Sequence, residues 1–191
     1  MFTQLLGGIV VHLDGSPWGG AAGRHTAAKR PAPALYSPEE RVRRDASPWT
    51  LVQGVLAPFQ FVVFLVSLCL VSRYLVTGAG EGAATASIVA KTLTLYTIMV
   101  TGAIWEREVF GRYLFAPAFY WEDMVSMVVI ALHTAYLGAL LMGALSSQNL
   151  MFLALAAYAT YVINAVQFIL KLRAARRAPV RAWATAGLGA A

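Results

Sequence analysis

The chain has 191 residues, of which 59% are hydrophobic and 13% charged, against roughly 45–50% and 25% in an ordinary soluble domain. The apolar residues come in long blocks rather than amphipathic stripes, which excludes a conventional soluble core and points to a lipid bilayer. The net charge of +6 lies outside those blocks; no segment there is long enough to fold into a basic module, so nucleic acid is excluded as a partner. The lone cysteine, Cys69, cannot form an internal disulfide and is expected to be a packed, inert thiol; no Cys/His spacing suits a metal.

Residues 1–34 are rich in Gly, Ala and Pro and read as a flexible N-terminal extension. The apolar run from Leu5 to Val11 is too short to span a membrane, and with no Lys or Arg before Arg24 it lacks the basic start of a signal peptide. Ser37-Pro38-Glu39-Glu40 opens a short helix, with a serine cap, proline at the first helical position and acids in the first turn. That helix carries Arg41, Arg43 and Arg44 along the membrane surface.

Four spans follow, at about Thr50 to Ser72, Ala84 to Trp105, Ala118 to Gly143 and Leu150 to Leu170. Each reaches the ~20 residues needed to cross ~30 Å of hydrocarbon. Lys29, Arg30, Arg41, Arg43 and Arg44 precede the first span, Arg107 and Arg112 lie between the second and third, and Lys171, Arg173, Arg176, Arg177 and Arg181 follow the fourth. Arg73 is the only basic residue of the opposite loops, so both termini are expected in the cytoplasm. The expected fold is an all-α membrane bundle of four transmembrane helices over residues 35–173, with a short cytoplasmic amphipathic helix before the first span and a basic tail over 174–191. Trp49, Trp105, Tyr120 and Trp121 form an aromatic belt, and Pro58 is expected to kink the first span. The two halves show no internal repeat.

Polar residues inside the spans cost free energy, so their positions carry information. Gln53, Gln60 and Ser67 form one stripe, and Thr160, Asn164, Gln167 and Lys171 a second. Glu122, Ser126 and His133 share a face of the third span, with Asp123 beside Glu122; Lys91, Thr94, Thr97 and Thr101 belong to the second. The simplest packing turns these seams inward. Plainer readings stand beside it: interhelical hydrogen bonds for the Gln, Asn and Thr stripes, and a snorkelling Lys91. Carboxylates near a helix N-terminus are also favourable on dipole grounds alone, which covers Glu122 and Asp123. Glu106 and Glu108 suit simple pairing with Arg107 and Arg112. His133, near mid-membrane, needs a partner, a proton path or a ligand. On these grounds an enzyme for a membrane-soluble substrate, a pigment binder and an assembly factor are all admissible.

Longer motifs narrow the choice. Leu35-Tyr36-Ser37-Pro38-Glu39-Glu40-Arg41-Val42-Arg43-Arg44-Asp45 and Trp49-Thr50-Leu51-Val52-Gln53-Gly54-Val55-Leu56-Ala57-Pro58 resemble the opening of the 3-vinyl bacteriochlorophyllide hydratase family. Thr97-Ile98-Met99-Val100-Thr101-Gly102-Ala103-Ile104-Trp105-Glu106-Arg107-Glu108-Val109-Phe110-Gly111 and Phe115-Ala116-Pro117-Ala118-Phe119-Tyr120-Trp121-Glu122-Asp123 are similar to it too, and the likeness runs in order over residues 35–173. The resemblance implies a hydro-lyase of bacteriochlorophyll biosynthesis that adds water to the 3-vinyl group of chlorophyllide a, or of a bacteriochlorophyllide, giving the 3-(1-hydroxyethyl) pigment. It implies a magnesium tetrapyrrole substrate, a bacterial inner or intracytoplasmic photosynthetic membrane, and transient contact with other pigment-biosynthesis enzymes.

Such a reaction needs a proton donor, a positioned water and a proton acceptor, and no cofactor. Glu122 and Asp123 are expected to share a proton and, with Glu106 across the turn, to form the acid–base apparatus. His133 is expected to bind the substrate magnesium or to shuttle protons, and Arg107 or Arg112 to hold the free propionate. Gln60 and Asn164, on the inward stripes, are expected to touch the substrate. The competing readings are a non-catalytic pigment carrier or assembly factor, which would use His133 alone, and a small transporter, which would need a continuous polar path.

Overall fold

The computed structural model describes residues 35–188, with side chains to residue 174. The expected extension over 1–34 lies outside the described residues. All the described regular structure is helical: α1 (Pro38–Ala46), α2 (Pro48–Thr77), α3 (Glu81–Phe110), α4 (Tyr120–Met142) and α5 (Ser147–Leu188).

α1 begins as its sequence dictates. Ser37 Oγ accepts the Glu40 N–H at 3.1 Å, and Glu40 Oε2 accepts the Ser37 N–H at 2.7 Å, a reciprocal capping box. Pro48 stops α1 and starts α2, because proline lacks a backbone N–H but fits the first turn of a helix.

Four helices are long and apolar enough to cross a membrane: Pro48–Thr77, Glu81–Phe110, Tyr120–Met142 and Ser147–Ala174. They overrun most of the span bounds read from hydropathy, since a helix does not end where the hydrocarbon does. α2 pairs with α3 and α4 with α5; α3 packs on α4, α2 on α5, and α1 lies against α3. Gly78 and Gly80 make the α2–α3 turn at φ 71° and 91°, conformations that a Cβ disfavours. α5 continues as helix to Leu188, beyond the span end expected near Leu170.

The bundle is apolar outside and polar within. Val55, Phe59, Val62 and Val66 of α2 face outward, while Gln60, Ser67 and Val71 of the same helix are buried. Cys69 is exposed rather than packed, because two residues along a helix from Ser67 and two before Val71 is the opposite face. Thr97 also faces outward, returning its hydroxyl to the Leu93 carbonyl at 3.0 Å instead of joining the inner seam. Lys91 is corrected in the other direction. It is fully buried, with Nζ 3.8 Å from the Tyr161 ring centroid, because its helix face, shared with Ile88 and Leu95, is turned into the bundle. α2 runs as helix through Pro58, which leaves the Gly54 carbonyl without its usual donor beside the internal cavity described below.

Two apolar clusters close the interior. One, away from α1, gathers Phe64, Val71, Ile88, Leu95, Val129, Met151 and Tyr158. The other, at the α1 end, centres on Tyr36, Val109 and Phe119 with Trp105, Phe110 and Phe168. Tyr36 stacks on Phe110 at 5.7 Å, and burial raises its phenol above the ordinary value, so it remains neutral. Hydrogen bonds tie this end together: Trp105 Nε1 donates to Thr50 Oγ1 at 2.9 Å and Thr50 Oγ1 to the Arg44 carbonyl at 2.6 Å. Replacing the α1 cap, Ser37→Ala, should cost about 1 kcal/mol locally. Amide exchange across Pro38–Ala46 should quicken severalfold while the spanning helices keep their protection.

Candidate active site

Between the two apolar clusters lies a cavity of about 1030 Å³, lined by α1 and by every spanning helix. Its wall is mostly apolar, with Leu95, Ile98, Met99 and Phe61 among the lining residues. The polar and charged groups include Thr50, Gln53, Gln60, Glu106, Asp123, Ser126 and Asn164, with Arg41, Arg44 and Asp45 of α1. Large apolar cavities with a few convergent polar groups are the usual form of a small-molecule site.

The carboxyls are placed by the turn between α3 and α4. Gly111 ends α3 in a left-handed conformation, and Phe115 adopts φ 60°, a strained value for a residue with a Cβ. That strain turns two successive backbone N–H groups inward. Phe115 N donates to Asp123 Oδ2 at 2.8 Å, and Ala116 N to Glu106 Oε2 at 3.4 Å. The Glu106 and Asp123 carboxyls lie near enough to interact, and both residues are buried, at 5% and 4% exposure. Burial disfavours two negative charges side by side, so such a pair is suited to holding one proton between its members.

Glu122 is turned elsewhere. Its carboxylate pairs with the Lys171 ammonium, which also lies 4.9 Å from the Phe119 ring centroid. Adjacent positions on a helix point about 100° apart, so Glu122 and Asp123 cannot both face Glu106. The carboxyl pair brought together is Glu106 with Asp123, rather than the sequence neighbours Glu122 and Asp123. Lys171 was missed as a site residue, although its stripe with Thr160, Asn164 and Gln167 foretold an inward position.

The other expected residues divide. Gln60 and Asn164 line the cavity; Asn164 Nδ2 donates to Ser126 Oγ at 2.8 Å, and Ser126 Oγ to the Glu122 carbonyl at 2.9 Å. Arg107 and Arg112 are exposed and are not among the lining residues, and Arg107 sits over the Tyr113 ring at 4.5 Å. Those two positions fall in the last turn of α3 and just after it. Arg41 and Arg44 of α1 line the cavity instead, with Arg44 held 2.7 Å from Asp45 and 4.8 Å from the Tyr36 ring centroid. His133 is fully buried and is not among the lining residues either; its Nδ1 donates to the Val129 carbonyl at 2.8 Å. Three helical turns separate it from Glu122, roughly 16 Å along the axis. No group of three or more His, Cys, Asp or Glu suited to a metal ion occurs among the described residues.

Because Lys171 offsets the charge of buried Glu122, Lys171→Met should destabilise the fold by roughly 3–5 kcal/mol. The double variant Lys171→Met/Glu122→Gln should recover most of that loss, as read by thermal unfolding in detergent.

No solved structure matches the chain. The family model for 2-vinyl bacteriochlorophyllide hydratase matches residues 36–174, which spans α1, the four spanning helices, the α3–α4 turn and the whole cavity wall from Tyr36 onward. The 2-vinyl bacteriochlorophyllide hydratase of Rhodobacter capsulatus is 69% identical over 143 residues, covering 75% of this chain and 83% of the relative. That of Cereibacter sphaeroides is 65% identical over 151 residues, covering 79% of this chain and 94% of the relative. With the helices, the carboxyl-bearing turn and the cavity all inside the matched region, the chain belongs to the 2-vinyl bacteriochlorophyllide hydratase family.

Proposed function

We propose that the protein is a hydratase of bacteriochlorophyll biosynthesis, adding water to the vinyl group of chlorophyllide a or a bacteriochlorophyllide. The observation that carries the reading is the paired Glu106 and Asp123 carboxyls in the wall of an apolar cavity. An alkene is a weak base, and its protonation needs a donor sheltered from bulk water.

The proton shared by the pair passes to the terminal vinyl carbon as the C=C π bond breaks. Positive charge is left on the carbon beside the macrocycle, where conjugation spreads it. The pair is now doubly ionised and faces that cation, stabilising it electrostatically. Water attacks the cationic carbon, forming the C–O bond, and returns its spare proton to the pair. The product is the 1-hydroxyethyl pigment, and the carboxyls end as they began, so these steps call on no cofactor. Lys171 keeps Glu122 paired and out of competition for the proton.

The free propionate of an unesterified pigment is an anion, best left at the polar end of the cavity. Arg41 and Arg44 of α1 are proposed to hold it there in place of Arg107 and Arg112, with Gln60 and Asn164 touching the ring further in. The basic residues at the α1 end, against Arg73 alone in the last turns of α2 at the other, support an orientation with the α1 end in the cytoplasm.

Glu106→Gln and Asp123→Asn should each lower kcat by at least ~10²-fold while leaving pigment binding intact. The readout is hydroxyethyl product from purified protein given vinyl pigment, lipid and buffer. Full activity in both variants would move the chemistry elsewhere, and an unhydrated pigment with the unaltered protein would favour a carrier. Arg41→Ala with Arg44→Ala should raise KM for the free acid about tenfold, the loss of one charge-assisted hydrogen bond, and leave KM for its methyl ester nearly unchanged.

A further inference from the structure

The buried side-chain atoms without a hydrogen-bond partner among the described residues include Gln60 Oε1, Lys91 Nζ, His133 Nε2, Tyr136 OH, Asn164 Oδ1 and Gln167 Oε1. They come from all four spanning helices, yet all but Gln167 can be traced along one seam. Asn164 and Gln60 open onto the cavity. Tyr161 lines the cavity too, and Lys91 Nζ lies over its ring. Lys91 is near enough to His133 for their charges to interact, and the His133 ring lies 5.9 Å from that of Tyr158. The Tyr158 hydroxyl meets Ser67 Oγ at 2.5 Å, and Ser67 meets Ser87 at 2.7 Å. Tyr136 lies near Tyr158 and beside Thr85, with Glu81 beyond. Glu81 accepts from Ser147 at the exposed end of the bundle opposite α1.

The hydrogen-bonding sense of these atoms limits what can serve them. The Val129 carbonyl takes the proton of His133 Nδ1, so Nε2 of the neutral ring presents a lone pair. The free amide oxygens of Gln60, Asn164 and Gln167 are acceptors, whereas Lys91 Nζ only donates. A cation would be repelled by Lys91 and an anion by the acceptors. A ligand carbonyl would satisfy the donor alone. A molecule that both donates and accepts, and is small enough to follow the seam, meets every requirement: water.

We propose that this seam holds a file of bound water running from the inner end of the cavity to the end of the bundle opposite α1, and that it supplies the water consumed once a macrocycle blocks the α1 end. The second half rests on the hydratase reading; the first does not. Lys91 and His133 are then positioning residues for water rather than contacts of the pigment.

The test is radiolytic hydroxyl labelling of the full chain in lipid nanodiscs without pigment. Hydroxyl radicals form from water in place, so they mark side chains beside bound water even when these are buried. Tyr136, Tyr158 and His133 should be oxidised at least tenfold faster than Met151, which is as fully buried as Tyr136 and His133 and carries a more reactive sulfur. Rates no higher than that of Met151 would overturn the water file, whatever the protein catalyses. Ser67→Leu, or the smaller change Ser87→Val, puts an apolar group where the hydroxyls meet. Labelling of His133 should then fall severalfold, and kcat for hydration should fall severalfold at constant KM. Lost labelling with an unchanged kcat would overturn the supply role.

Discussion

The meeting of the Glu106 and Asp123 carboxyls is the constraint around which the rest of the molecule is arranged. Acidic side chains are costly in a bilayer unless their charge is removed or answered, and here two backbone N–H groups are turned toward two carboxyls. Holding them face to face requires α3 and α4 to meet at that height. It also requires a turn strained at Phe115 to aim its amides inward. The third acid, Glu122, is removed from the contest by Lys171, so α5 must pack along α4 far enough to deliver that lysine. Three helices are thus fixed by the electrostatics of one small region.

Around that region the apolar residues do two different jobs. Those facing outward dissolve the bundle in lipid and add nothing to its internal specificity, because lipid tails are as apolar as they are. Those facing inward are gathered at two levels, with the aromatic cluster of Tyr36, Phe119 and Trp105 at the α1 end and the Ile88, Val129 and Met151 cluster further in. The cavity lies where neither cluster reaches across the middle, and Gln, Asn, Ser and Gly residues interrupt its apolar wall. α1 completes the enclosure. It is too short and too polar to be stable alone, and it is held by its capping box and by the stacking of Tyr36 on Phe110.

The buried polar seam extends further into the bundle than the carboxyls alone require. Lys91, His133 and Tyr136 lie beyond the cavity wall, where a pigment held against Glu106 leaves them untouched. Their position suits a reaction in which a large flat substrate fills the cavity while a small second substrate, water, must still be present.

Composition, block length and charge placement determined the all-α membrane fold, because hydrocarbon admits only helices or closed barrels and a helix needs a fixed length to cross it. The capping box of α1 and the inward stripes of Gln53, Gln60 and Ser67, and of Asn164, Gln167 and Lys171, were equally legible, since helical periodicity assigns residues to a face. Periodicity does not say which neighbour that face meets. The pairing of Asp123 with Glu106 instead of Glu122, the retreat of Arg107 and Arg112 in favour of Arg41 and Arg44, and the burial of Lys91 all depend on the rotation of one helix against another. Such rotation is set by the packing of many side chains at once, and about 100° of it, one residue's worth, exchanges a cavity wall for a lipid-facing surface. That choice belonged to the tertiary structure alone.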